Sequence, residues 1–147
     1  MTINITDNIY TFPVRLPHNP LQYVNCYVIK ATDGGRSLLI DTGFNRPDCL
    51  KMLLEGMKSL DLCPENTDVF ITHFHSDHSG NLGALCDMGY PIVLGRIELV
   101  EFDRSVWPRV PNRFSHEGMP DSIVSTFYDN PSMRYMPTDF VPSRLVE

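Results

Sequence analysis

The sequence predicts an α/β fold. Short β-prone runs alternate with segments of helical period over the first two thirds of the chain. Turn residues such as Asp33-Gly34-Gly35 punctuate them. The 147 residues, 42% hydrophobic and 20% charged, suit one globular domain with a buried core.

Ile3 to Phe12 carries apolar and β-prone residues broken by Asp7-Asn8, which reads as a short hairpin or two short strands. Tyr23 to Lys30 is a dense β-branched and aromatic run. The turn at 33–35 and a second strand over Ser37 to Asp41 complete an antiparallel pair. A helix follows from about Arg46: Pro47 suits a first helical position, and Leu50, Leu53, Leu54 and Met57 recur at helical spacing. Val69 to Thr72 reads as a buried strand. His78 to Met88 reads as a helix with Leu82, Leu85 and Cys86 on one face, stopped by Gly89. Tyr90 to Leu94, opened by Pro91, makes another strand.

After Gly95 the character changes. Ile97 to Phe102 and Pro120 to Tyr128 read as short helices, and half of the twelve prolines lie at or beyond Pro108, which limits element length. The chain divides on this reading into an α/β unit over 1–95 and a Pro-rich, partly helical segment over 96–147.

The formal charge is −6, with no Lys/Arg cluster, which argues against a nucleic-acid partner. No apolar run reaches the roughly 20 residues a membrane span needs, and the N-terminus shows no secretory signal, so a cytoplasmic protein is expected. Cys26, Cys49, Cys63 and Cys86 form no Cys-x-x-Cys pair and read as small hydrophobes in a reducing compartment.

The chemistry concentrates in Thr72-His73-Phe74-His75-Ser76-Asp77-His78-Ser79-Gly80. Three of the five histidines fall here, beside a carboxylate, where a strand gives way to a helix. Imidazole nitrogen and carboxylate oxygen are the ligands of open, catalytic zinc sites. The alternate spacing of His73, His75 and Asp77 aims all three one way if the path is extended, and His78 points toward a second site. One loop can thus feed two neighbouring ions, the arrangement used for hydrolysis. A helix-capping turn by Asp77 or Ser79 explains the polar residues but not three imidazoles.

His-x-His-x-Asp-His after a short apolar strand resembles the signature of the metallo-β-lactamase superfamily. Leu38-Leu39-Ile40-Asp41-Thr42-Gly43 is similar to that family's earlier Asp-Thr-Gly segment, and Asn25 to Ile29 to the strand before it. The resemblance, carried by Ile3 to Leu94, implies the N-terminal half of an αββα sandwich: one mixed sheet with flanking helices. It implies that His73 and His75 hold a first zinc ion, that Asp77 and His78 hold a second, and that Asp77 orients the attacking hydroxide. Asp41 would sit beneath the metal loop, bonded to backbone or ligand; a plain turn residue is the competing reading from the residues alone. Iron or manganese could replace zinc.

The family's downstream histidines and bridging aspartate have no counterpart here. His116 and His18 read as exposed polar residues, and Asp87, Asp103, Asp121, Asp129 and Asp139 fit no family motif. The chain therefore resembles a front half, expected to be inactive alone and either to self-associate or to need a C-terminal half. The Pro-rich tail folding back over the sheet is the alternative cover. The implied activity is metal-dependent hydrolysis of a small ester, thioester or lactone. An iron-dependent persulfide-type dioxygenase on the same scaffold and a non-catalytic assembly module are the rival readings.

Overall fold

The computed structural model describes residues 1–97, 115–128 and 135–147. Its centre is a seven-stranded mixed sheet in sequential order. Strands β1 (Ile3–Thr6), β2 (Ile9–Arg15), β3 (Tyr23–Ile29) and β4 (Ser37–Ile40) run antiparallel. Strands β5 (Thr67–Phe70), β6 (Ile92–Gly95) and β7 (Arg144–Val146) continue from β4 in parallel. Helix α1 (Pro47–Lys58) connects β4 to β5, and the short helices α2 (Ser76–Ser79) and α3 (Leu82–Asp87) connect β5 to β6. Helix α4 (Asp121–Tyr128) precedes β7. This is the α/β architecture expected of the sequence, with both hairpins and α1 where the pattern places them.

Strand alternation sorts the side chains. In β3, Val24, Cys26 and Val28 are buried, while Tyr23, Tyr27 and Ile29 are exposed. Register carries this across the sheet: Tyr10, Val28, Leu39, Val69 and Ile92 pair in turn on the inner face. That face meets Cys49, Leu53 and Met57 of α1 and Leu82 and Leu85 of α3 in one core. Helix α1 starts on Pro47, carries Asp48 in its first turn and ends at Lys58, charges that suit its dipole. Gly56 is needed because a Cβ there would strike the Phe12 ring. On the opposite face Tyr27 and Ile29 pair with Thr11 and Ile9, and Ile3, Tyr23, Tyr27 and Ile29 are all exposed.

Three details differ from the sequence reading. Strand β5 begins at Thr67, two residues early; Asp68 is admitted because Arg36 bonds it at 2.6 Å and also donates to the carbonyls of Pro64 and Thr67. The helix expected over His78 to Met88 is two helices, parted at Gly80-Asn81. A Cβ at Gly80 would lie 2.5 Å from the Gly43 carbonyl oxygen, so the chain bends here to let two loops touch. Strand β7 has no counterpart in the sequence reading: Ser143 donates to the Ile92 carbonyl at 2.7 Å and accepts the Ile92 N–H on its hydroxyl at 3.2 Å, seating three residues beside β6. Helix α4 lies within the expected Pro120–Tyr128 segment; the one expected over Ile97 to Phe102 falls largely outside the described residues. No helix among the described residues is long and apolar enough to cross a membrane.

The tail from Tyr135 packs on the unit before it. Tyr135 stacks on Phe44 at 4.7 Å between ring centroids, and Arg46 lies over its ring at 5.5 Å. Asn45 donates to the carbonyls of Tyr135 and Met136, and Phe140 is buried.

Candidate metal centre

Two adjacent parallel strands end side by side, and their following loops build the site. Ligand sites in α/β sheets favour this place, beyond the carboxyl ends of the strands. Asp41 follows β4 with φ +65°, a left-handed conformation uncommon outside glycine but tolerated by aspartate. Gly43 follows at φ +81°. The loop after β5 carries Thr72 to His75 into α2. Thr42 binds the two loops together: its N–H and its hydroxyl each donate to the His78 carbonyl at 2.8 Å, and Asn81 Nδ2 donates to the Thr42 carbonyl at 2.7 Å.

The three imidazoles gather on this bend. The His73 ring lies 4.5 Å from His75 and 4.1 Å from His78, centroid to centroid. His73 Nε2 faces His75 Nδ1 at 2.9 Å. His78 Nε2 faces Asp77 Oδ2 at 3.4 Å, while its Nδ1 meets Asp41 Oδ2 at 2.9 Å. Asp41 is buried beneath the loop, and its Oδ1 accepts the Thr72 N–H at 2.9 Å. The five residues singled out in the sequence thus fall into two facing pairs, His73 with His75 and Asp77 with His78, resting on one carboxylate.

Charge follows geometry. Burial, then the neighbouring His78 and His75, lower the His73 pKa and favour its neutral ring. The hydrogen bond from His78 holds Asp77 below the usual carboxylate range. Burial alone would lower His78, but its bonds to Asp41 and Asp77 outweigh that effect and raise it to about 9. The metal-free site therefore holds a proton on His78 at neutral pH, between two carboxylates.

The sequence pattern of the metallo-beta-lactamase superfamily matches residues 19–116. The chain belongs to the metallo-beta-lactamase superfamily. An atrochrysone carboxyl ACP thioesterase of Aspergillus novofumigatus is 34% identical over 99 residues, which are 67% of this chain and 29% of that protein. Another of the same name, from Aspergillus fumigatus, is 34% identical over 58% of this chain and 20% of its own length. The chain thus spans less than a third of these curated relatives. A metallo-beta-lactamase family protein of Thermus thermophilus superimposes with a TM-score of 0.65 at 22% identity, over 95% of this chain and 46% of that one. The FEZ-1 metallo-beta-lactamase of Legionella gormanii gives 0.59 at 17% identity, over 99% and 45%. These structures share the fold.

A metallo-beta-lactamase superfamily chain calls for metal ions, and its donors fit them in pairs. His73 Nε2 and His75 Nδ1 converge, as do His78 Nε2 and Asp77 Oδ2, in the nitrogen and oxygen chemistry that zinc accepts. Among the described residues no three His, Cys, Asp or Glu side chains form a ready cage for one ion. His18 and His116 are exposed and stand apart from the cluster's bonding. The four cysteines are free; Cys26 and Cys49 are buried, and burial raises both thiol pKa values, that of Cys49 to about 11.

Sequence reasoning passes over Thr42, Thr72 and Asn81. The Asp-Thr-Gly segment and the threonine before His73 are both visible in the sequence, but their roles depend on contacts 31 to 39 residues apart.

Proposed function

We propose that this chain carries a metal-binding part of a metal-dependent hydrolase acting on a small ester, thioester or lactone. The observation that supports it most directly is the two facing donor pairs, with Asp41 holding the far nitrogen of His78. Among these substrates we favour a thioester, because the relatives at 34% identity are named thioesterases.

His73 and His75 would hold one ion, and Asp77 and His78 a second. Bound zinc lowers the pKa of water and polarises a carbonyl oxygen, which is the chemistry ester cleavage requires. The residues prepare that chemistry. His73 keeps a neutral ring with a lone pair to give. Asp77 stays ionised and offers an acceptor toward which a water can be turned. Asp41 fixes the His78 ring through Nδ1, so only Nε2 is left for a ligand.

Isothermal calorimetry with zinc tests the reading, alongside cleavage of a short acyl thioester followed through the released thiol. Zinc-dependent heat is expected for the wild type and its reduction for the His73→Ala/His75→Ala double variant, which removes one of the two donor pairs. Absence of zinc binding by the wild-type chain at millimolar zinc would refute the proposal.

A further inference from the structure

Thr72 has a single hydroxyl hydrogen and several partners. Its Oγ1 lies 3.1 Å from Asp41 Oδ1, 3.1 Å from Asp41 Oδ2, 3.1 Å from His73 Nδ1 and 3.4 Å from His78 Nδ1. A carboxylate accepts hydrogen bonds and cannot donate. The contact with Asp41 is therefore favourable only if the Thr72 hydrogen points at the carboxylate. What Thr72 can then offer His73 is a lone pair, so the hydrogen between them must sit on His73 Nδ1. That leaves His73 Nε2 bare, directed at His75 Nδ1 across 2.9 Å. The alternative, Thr72 donating to a bare His73 Nδ1, would set two oxygen lone-pair surfaces against each other at 3.1 Å, where the exposed Thr72 hydroxyl meets the buried Asp41 carboxylate.

We propose that Thr72 is a positioning residue that relays the Asp41 carboxylate to His73 and fixes that ring as its Nδ1–H tautomer. Asp41 thereby governs both donor pairs: it takes the Nδ1–H of His78 directly and orients His73 through one hydroxyl. In the metal-free chain the hydrogen between His73 and His75 belongs to His75 Nδ1. Receiving an ion between those two nitrogens then requires that hydrogen alone to leave, and His73 is already in its ligating form. The inference rests on the reading of His73 and His75 as metal ligands for its consequence, while the tautomer itself is tested without metal.

The test compares wild type, Thr72→Ser and Thr72→Val, each uniformly 15N-labelled and freed of metal with chelator. Long-range proton–nitrogen NMR of the imidazoles assigns the protonated nitrogen of His73. Wild type and Thr72→Ser should show Nδ1–H; Thr72→Val should revert to mainly Nε2–H, the ordinary preference of a free imidazole. Zinc calorimetry should show Thr72→Val weakened by about 10- to 100-fold, as for other groups that orient ligands, and Thr72→Ser within a few-fold of wild type. A wild-type His73 found as Nε2–H, or an Nδ1–H that persists in Thr72→Val, overturns the relay. The wild-type spectrum alone can do so if Thr72→Val does not fold. If the tautomer behaves as expected and wild type takes up no zinc, the relay stands and the proposed function fails.

Discussion

Raising the pH on metal-free protein should weaken it through His78. Folded, this imidazole has a pKa of about 9, against an ordinary value of 6.5. The folded state thus keeps a proton that the unfolded chain releases, so this stabilisation is complete below pH 6.5 and is lost as pH rises through 9. At 1.36 kcal/mol per pKa unit the gap corresponds to at most about 3 kcal/mol. The ring is 22% exposed, so solvent screening trims this figure. Buried Cys26 and Cys49, with raised pKa values, also favour the folded state less as pH climbs, so the comparison must isolate His78. Asp41→Asn does this: the amide can still accept the Thr72 N–H, but it carries no charge to hold the imidazolium. Urea unfolding in chelator at pH 6, 7, 8, 9 and 10 should show wild type losing more stability than Asp41→Asn between pH 6.5 and 9. NMR titration of His78 should show its pKa lowered in the variant. Parallel stability profiles for the two proteins over that window would refute the reasoning.

Two further outcomes follow from close packing. Gly80→Ala should cost at least about 1–3 kcal/mol, the usual range for overpacking. Its Cβ would meet backbone atoms of 43–45, including Phe44 C at 2.6 Å, which cannot rotate aside; an unchanged urea midpoint would contradict this. Gly83→Ala should loosen the tail by about 1–2 kcal/mol. Thr138 can turn its hydroxyl away, but its carbonyl oxygen stands 2.9 Å from the new Cβ. Limited proteolysis should cut within 135–147 faster in the variant, and equal rates would count against the packing.

The sequence by itself determined the elements whose signals are local. Alternation in β3 predicts its buried and exposed residues, because side chains on a strand point to opposite faces whatever lies beyond them. Pro47 and the apolar spacing behind it place α1, and Gly89, at φ +89°, ends α3 as a left-handed residue should. The imidazoles at 73, 75 and 78 and the carboxylates at 41 and 77 are legible as residue types in a pattern, as is the family they resemble. Tertiary structure decided the rest. Strand β7 is three residues long and has no periodicity to read; it is a strand because Ser143 locks onto Ile92, 51 residues away. The break between α2 and α3 comes from the close approach of Gly80 to the 43–45 backbone, which helical spacing in 78–88 does not reveal. In the site, the pattern names the imidazoles and carboxylates but not which nitrogen each imidazole presents. That depends on where Asp41 and Thr72 put their few hydrogens, and those two residues meet only because β4 and β5 lie side by side in the sheet.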